Sequence, residues 1–140
     1  MTPDGILETV LYARDLAAIE SFYRDVLGLE PFAKVEGRHL FYRCGGAGRE
    51  QVLLIFNPIA TSVPPAEGSL PVPPHGMEGE GHVCFRASAA ELEAWKARLR
   101  DKGVAIEADF EWPKGGRSIY FRDPAGNCLE FAEPNIWGLA

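Results

Sequence analysis

The chain has 140 residues, 46% of them hydrophobic and 24% charged, with a formal net charge of −6. That length suits one domain or two closely packed half-domains, burying roughly 70% of the unfolded surface. The composition requires neither disorder nor a membrane, and the acidic balance disfavours nucleic acid, whose phosphates need a basic surface.

At the N-terminus, MTPDGILE holds an acidic residue and no basic, apolar run. It predicts neither a secretory signal nor a membrane span, which makes cytoplasmic residence the default. Ile6 to Tyr12 reads as a strand. A helix follows, with Asp15 as its cap and Leu16, Ile19, Phe22, Tyr23 and Val26 at i, i+3, i+4 spacing. Gly28 supplies the left-handed residue that ends it. The segment RHLFYRCGGAGREQVLLIFNP then reads as strands joined by a hairpin at Gly45-Gly46-Ala47-Gly48, with a small basic patch at Arg38, Arg43 and Arg49. Six prolines between Pro58 and Pro74, with Gly68, Gly76 and Gly79, predict a linker of polyproline character over residues 58–79, without helix or central strand.

The second half repeats the order of the first. GHVCF reads as a strand, and Ser88 caps a helix with Glu91 three residues on and an apolar stripe of Leu92, Trp95 and Leu99, stopped by Gly103. Arg117–Arg122 and Asn127–Ala132 read as antiparallel strands around the turn Asp123-Pro124-Ala125-Gly126-Asn127. Cys44, Cys84 and Cys128 are odd in number and lack CxxC spacing, so free thiols are expected, with no disulfide framework or zinc finger. The pattern predicts an α+β fold of two tandem βαβββ units, about residues 5–57 and 80–134, because a unit that cannot bury its own apolar face needs its copy.

Aligning the halves puts Glu8 opposite His82 and Leu54 opposite Glu130. The interval from 8 to 54 is 46 residues and from 82 to 130 is 48. Glu8, His82 and Glu130 therefore occupy symmetric places on apolar strands, where a carboxylate is costly unless paired or bound to metal. Zn²⁺ takes imidazole nitrogen and carboxylate oxygen, so the three could form one site. Period-2 alternation leaves another possibility open for each Glu: it could simply face water.

Other residues are candidates for the same cleft. His39 could be a general base, a substrate contact or a structural histidine. His75, in the loop PPHGMEGEGH, suits a lid or a plain surface. Trp112, Arg117 and Tyr120 could anchor an anionic or aromatic ligand, or pack within the sheet. No GxSxG, P-loop or dinucleotide fingerprint is present.

LETVLYARDL with FYRDVLGLE, then GHVCF, then RSIYFRDPAGNCLEF carry a resemblance across nearly the whole chain. The chain resembles the vicinal oxygen chelate superfamily of glyoxalase I, extradiol dioxygenases, and fosfomycin- and bleomycin-resistance proteins. The resemblance implies an open, U-shaped mixed sheet around a metal, with ligands on the first and last strand of each unit. Carried over, these are Glu8, Leu54, His82 and Glu130. Leu54 cannot ligate, so three ligands would leave open positions; Leu54 then lines the substrate site. Glu8 replaces an expected His, which disfavours iron-dependent oxygen chemistry while suiting Zn²⁺, and also Mn²⁺, Ni²⁺ or Fe²⁺. The implied partners are a small-molecule substrate and a second copy of the chain, with Glu8 of one subunit joining His82 and Glu130 of the other. The implied activity is Lewis-acid catalysis on a substrate that binds through two oxygens. The alternative is a metal-free protein that sequesters a drug or metabolite.

Overall fold

The computed structural model describes residues 1–140 and divides them into two compact units, Met1–Gly79 and Glu80–Ala140. The first contains β1 (Glu8–Tyr12), α1 (Leu16–Asp25), β2 (Ala33–Val35), β3 (His39–Cys44), β4 (Gln51–Phe56) and a short α2 (Pro58–Thr61). The second contains β5 (His82–Arg86), α3 (Ala89–Asp101), β6 (Ala108–Glu111), β7 (Arg117–Arg122), β8 (Cys128–Ala132) and a closing 3-10 turn, Pro134–Trp137. The sheet orders are β1-β4-β3-β2 and β5-β8-β7-β6. In each, the first strand runs parallel to the last and the other pairs are antiparallel. Both halves are therefore βαβββ units of an α+β fold, as the repeat predicts.

Strand register makes the repeat exact to the residue. Glu8 pairs with Val52 and Val10 with Leu54; His82 pairs with Cys128 and Cys84 with Glu130. Leu54 and Glu130 thus hold the same lattice position, and Phe41 and Tyr120 stand across from them in β3 and β7.

Each unit builds its core between its helix and one sheet face. In the first, α1 buries Leu16, Ile19 and Tyr23, and the Tyr23 ring stacks on Tyr42 with centroids 5.3 Å apart. Leu40, Leu53 and Ile55 share that face because residues two apart point the same way. In the second, Leu92 and Leu99 are fully buried, and Trp95 stacks on Phe131 at 4.3 Å. The α3 N-terminus is a complete capping box of Ser88 and Glu91. Its C-terminus closes as a Schellman motif, Val104 N–H bonding to Leu99 O and Gly103 N–H to Arg100 O, which requires the positive φ of 70° at Gly103.

Two boundaries differ from the sequence reading. The stretch from 58 opens with helix α2, because Asn57 caps it by accepting from Ile59 N–H and Pro58 sits at the first position, where its missing N–H costs nothing. β1 begins at Glu8; Ile6 and Leu7 precede it and are exposed. No helix is long and apolar enough to cross a membrane.

Candidate metal centre

The second unit's sheet has two chemically distinct faces. Residues 119, 121, 129 and 131 turn toward α3. Residues 82, 84, 118, 120, 128 and 130 share the other face, and there the structure brings His82 and Glu130 together, with His82 Nε2 3.3 Å from Glu130 Oε2.

The turn between β7 and β8 sets this geometry. Asp123 accepts from Ala125 N–H and Asn127 N–H through Oδ1, at 2.9 and 3.0 Å, and from the Asn127 amide through Oδ2 at 2.9 Å. Asn127 Oδ1 in turn accepts from Gly81 N–H at 2.8 Å, and Gly81 O accepts from Cys128 N–H at 2.8 Å. Asn127 is fully buried and Asp123 nearly so. The DPAGN segment is therefore more than a hairpin turn: it fastens the residue before His82 to the start of β8.

His82 Nδ1 lies 2.9 Å from the Cys128 carbonyl. A carbonyl only accepts, so Nδ1 carries the proton and the imidazole, when neutral, turns its Nε2 lone pair toward the Glu130 carboxylate. A lone pair facing an anion calls for positive charge between them, which a proton on Nε2 supplies as a salt bridge and a metal ion supplies as a shared ligand pair. Glu130 has a side chain only 6% exposed, and its other oxygen, Oε1, is buried without a hydrogen-bond partner. Such a group is expensive to leave unmatched. Two ligands bound to one tetrahedral zinc at about 2.1 Å stand about 3.4 Å apart, which matches the His82–Glu130 spacing. The tautomer, the unmatched oxygen and the spacing all fit a divalent cation. Its hydrogen-bonded His is the supporting pattern that metal sites use.

Neighbours complete this face. Tyr120 stands across from Glu130, its hydroxyl pushed up to about 12 by burial first and then by the Glu130 carboxylate. The Cys84 thiol, on the opposite flank, is likewise pushed up to about 12, by burial and then by Glu130. All three cysteines are free, and a thiol held protonated is a poor nucleophile. Trp112 Nε1–H donates to Ser118 Oγ at 2.8 Å.

Glu8 lies at the exposed start of β1, in contrast to buried Glu130, although both belong to largely apolar strand segments. Within either unit no group of three or more His, Cys, Asp or Glu side chains gathers closely enough to hold an ion. On the first unit's sheet, Leu54 is buried on the face away from α1, level with Phe41. His39 stacks on Phe41 at 4.0 Å and meets Phe56 edge-on at 5.7 Å. Burial, then Arg38, lowers its basicity, and its Nδ1 is buried without a partner. His75 joins the same aromatic group, with Nδ1 2.6 Å from the Tyr12 hydroxyl and its ring 4.8 Å from Phe56.

Arg117 does not share the face of Glu130. Strand parity turns it toward α3, where it holds Asp109 in a bidentate pair at 2.6 and 2.7 Å and also pairs with Glu93, while Lys96 reaches Asp109 at 2.6 Å. A guanidinium already saturated by two carboxylates is a structural tie between α3, β6 and β7. Its hydrogen bond, above all, lowers the Asp109 carboxyl to about 2. The unfolded value is about 3.9, so this pairing stabilises the fold fully above about pH 4 and is lost as pH falls toward 2. Asp109→Asn is expected to flatten that acid limb. Urea midpoints at pH 5 and pH 2.5 check this: an equal acid loss in both proteins would contradict it.

A family model described as Glyoxalase/Bleomycin resistance protein/Dioxygenase superfamily matches residues 5–131. Among solved structures, a lactoylglutathione lyase from Agrobacterium tumefaciens is 44% identical, with 99% of this chain and 100% of that one covered and a TM-score of 0.91. A glyoxalase/bleomycin resistance protein/dioxygenase from Nocardioides is 24% identical, covering 95% of this chain and 85% of that one, with a TM-score of 0.68. TnmS3, an antibiotic binding protein from Streptomyces sp. CB03234, is 22% identical over 96% of this chain and 98% of that one, with a TM-score of 0.63. These two show the fold alone. No curated protein matches the chain.

Proposed function

We propose, from the premise that the chain belongs to the Glyoxalase/Bleomycin resistance protein/Dioxygenase superfamily, that it is a metal-dependent lyase of the glyoxalase type. One observation carries the reading: the Nε2 lone pair of His82 and the carboxylate of buried Glu130 face one another at 3.3 Å, with Glu130 Oε1 unmatched. His82 and Glu130 would hold the ion. Nitrogen and carboxylate donors suit Zn²⁺ first, and also Mn²⁺, Ni²⁺ or Fe²⁺.

When bound, the cation supplies Lewis-acid polarisation of a substrate oxygen. The chain's own residues do the rest. The Cys128 carbonyl fixes the His82 tautomer, and Asn127 fixes the strand that carries it. His39, kept neutral by burial and by Arg38, is the candidate base, able to accept a proton from a carbon next to a carbonyl. Trp112 and Tyr120 supply aromatic lining beside Glu130. The 44% identical relative is a lactoylglutathione lyase, which makes lactoylglutathione the first compound to try. Its lactoyl group bears a hydroxyl beside the thioester carbonyl, so it offers two adjacent oxygens. The working form is proposed to be a cytoplasmic homodimer.

Metal analysis of protein purified without chelator is expected to give about one divalent ion per chain, with lactoylglutathione turnover lost to chelator and restored by Zn²⁺. A metal-free, folded protein that turns nothing over would overturn the reading. The aromatic face of Phe41, Phe56, His39 and His75 favours one second reading, sequestration of a planar compound. Tight binding of aromatic ligands by the metal-free protein would support that instead.

A further inference from the structure

The aromatic face of the first unit ends on a cation that no reading above has used. His39, Phe41 and Arg43 alternate along β3 on the side away from α1, level with Phe56, Leu54 and Val52 of β4. Phe32, whose N–H bonds to Phe41 O at 2.9 Å, adds a ring 6.3 Å from that of Phe41 and tilted by 49°. The Phe56 ring stands 5.3 Å from Phe41 at 73°. Phe56 is nearly buried, Phe41 is half-buried and Phe32 is 47% exposed, so the row opens toward its Phe32 end. Rings set at these angles offer both faces and edges, which are the two contacts that a further aromatic ring favours.

Arg43 closes that open end, its guanidinium 4.7 Å over the Phe32 ring. It belongs to none of the chain's ion pairs, whereas Arg24, Arg117 and Arg122 each hold a carboxylate. Glu50, across the hairpin from it, is turned to Gly48 N–H at 3.2 Å. A cation–π contact at an exposed site is weak, and it leaves the planar fork of N–H donors, which matches a carboxylate in two parallel bonds, open to a ligand. Arg38 adds positive charge at the other end of the strand, beside His39. In a chain of net charge −6 most of the surface repels anions, so two cations flanking an aromatic row make a local exception.

We propose that this face of the first unit binds a planar aromatic carboxylate, its ring against Phe32 and Phe41 and its carboxylate held by Arg43. The rings supply affinity for any flat apolar compound, and Arg43 supplies the choice of an anion among them. The proposal gives the sequestration reading a chemical class and rests on that reading for the aromatic seat. It stands whether or not the second unit holds a metal, because none of these residues belongs to the His82–Glu130 pair.

Calorimetric titration of the full chain with 2-naphthoate and with 2-naphthamide, its uncharged planar counterpart, tests this. Wild-type protein is expected to bind the naphthoate about tenfold more tightly, the scale of a charge-assisted bidentate pair, and that preference should shrink as salt screens the exposed guanidinium. Arg43→Gln should bring the two compounds to equal affinity, whereas Phe41→Ala should weaken both. Arg100→Gln, which changes the net charge equally but lies on α3 of the other unit, should leave the preference intact. Arg43 is exposed, so its substitution does not threaten the fold. Equal affinity of wild-type protein for the two compounds overturns the proposal while leaving sequestration standing, and a preference that survives in Arg43→Gln overturns the role of Arg43. Saturable binding of neither compound overturns the proposal and the sequestration reading together.

Discussion

His82→Ala is expected to reduce divalent-metal affinity by more than the ~10–100-fold that losing a supporting residue costs, and to abolish any metal-dependent turnover. Its imidazole is the one nitrogen donor of the proposed site, prepared for that role by the Cys128 carbonyl at 2.9 Å. The substitution also separates metal loss from unfolding. The His82 side chain is 52% exposed, so its removal leaves little cavity, and the Cys128 carbonyl can turn to water. Glu130→Ala is a less clean experiment, because that side chain is buried among Tyr120 and Cys84 and its removal disturbs both. Thermal unfolding with and without Zn²⁺ reads the result directly. A site saturated to a hundred times its dissociation constant stabilises the fold by about 2.7 kcal/mol. The wild-type chain should show that rise and His82→Ala should not. An equal zinc-induced rise in the two proteins would mean that the ion sits elsewhere.

Asn127→Ala should have the largest effect on stability of any substitution near the site. The Asn127 side chain is fully buried and connects the Asp123 carboxylate at 2.9 Å to the Gly81 backbone N–H at 2.8 Å. Removing the amide leaves a carboxylate oxygen and a backbone donor without these partners, at about 1–3 kcal/mol each, plus a small cavity. A total loss of ~3 kcal/mol is a substantial part of the 5–15 kcal/mol typical of a domain. Because Gly81 directly precedes His82, metal affinity should fall as well, even under conditions where the variant is fully folded. Urea unfolding gives the first quantity and zinc titration the second. A variant that loses under 1 kcal/mol and binds zinc normally would show that the β7–β8 turn positions nothing.

The contrast between Arg117 and Tyr120 shows where local pattern stops being informative. Both lie on one strand, both are chemically apt for binding a ligand, and alternation assigns them to opposite faces. Alternation does not say which way Arg117 is used, because each side of RSIYFR carries one arginine and one aromatic ring. That choice is made by Glu93 and Lys96 of α3 and Asp109 of β6, which capture Arg117. Glu8 and Glu130 teach the same lesson: similar apolar neighbours surround both, yet only Glu130 is buried.

The two-unit architecture, the helix caps at Asp15 and Ser88, the stop at Gly103 and the matching of Leu54 with Glu130 were determined by the amino-acid order alone. Each depends on contacts within a few residues or on a pattern repeated along the chain, and both are visible in one dimension. The tertiary structure decided which carboxylate is buried, which imidazole nitrogen carries a proton, and that Asn127 reaches back 46 residues to Gly81. It also decided that the Trp112 indole N–H meets the buried Ser118 hydroxyl. These are properties of hydrogen bonds between residues that meet only when strands pair, and strand pairing is set by the packing of the whole unit rather than by any segment within it.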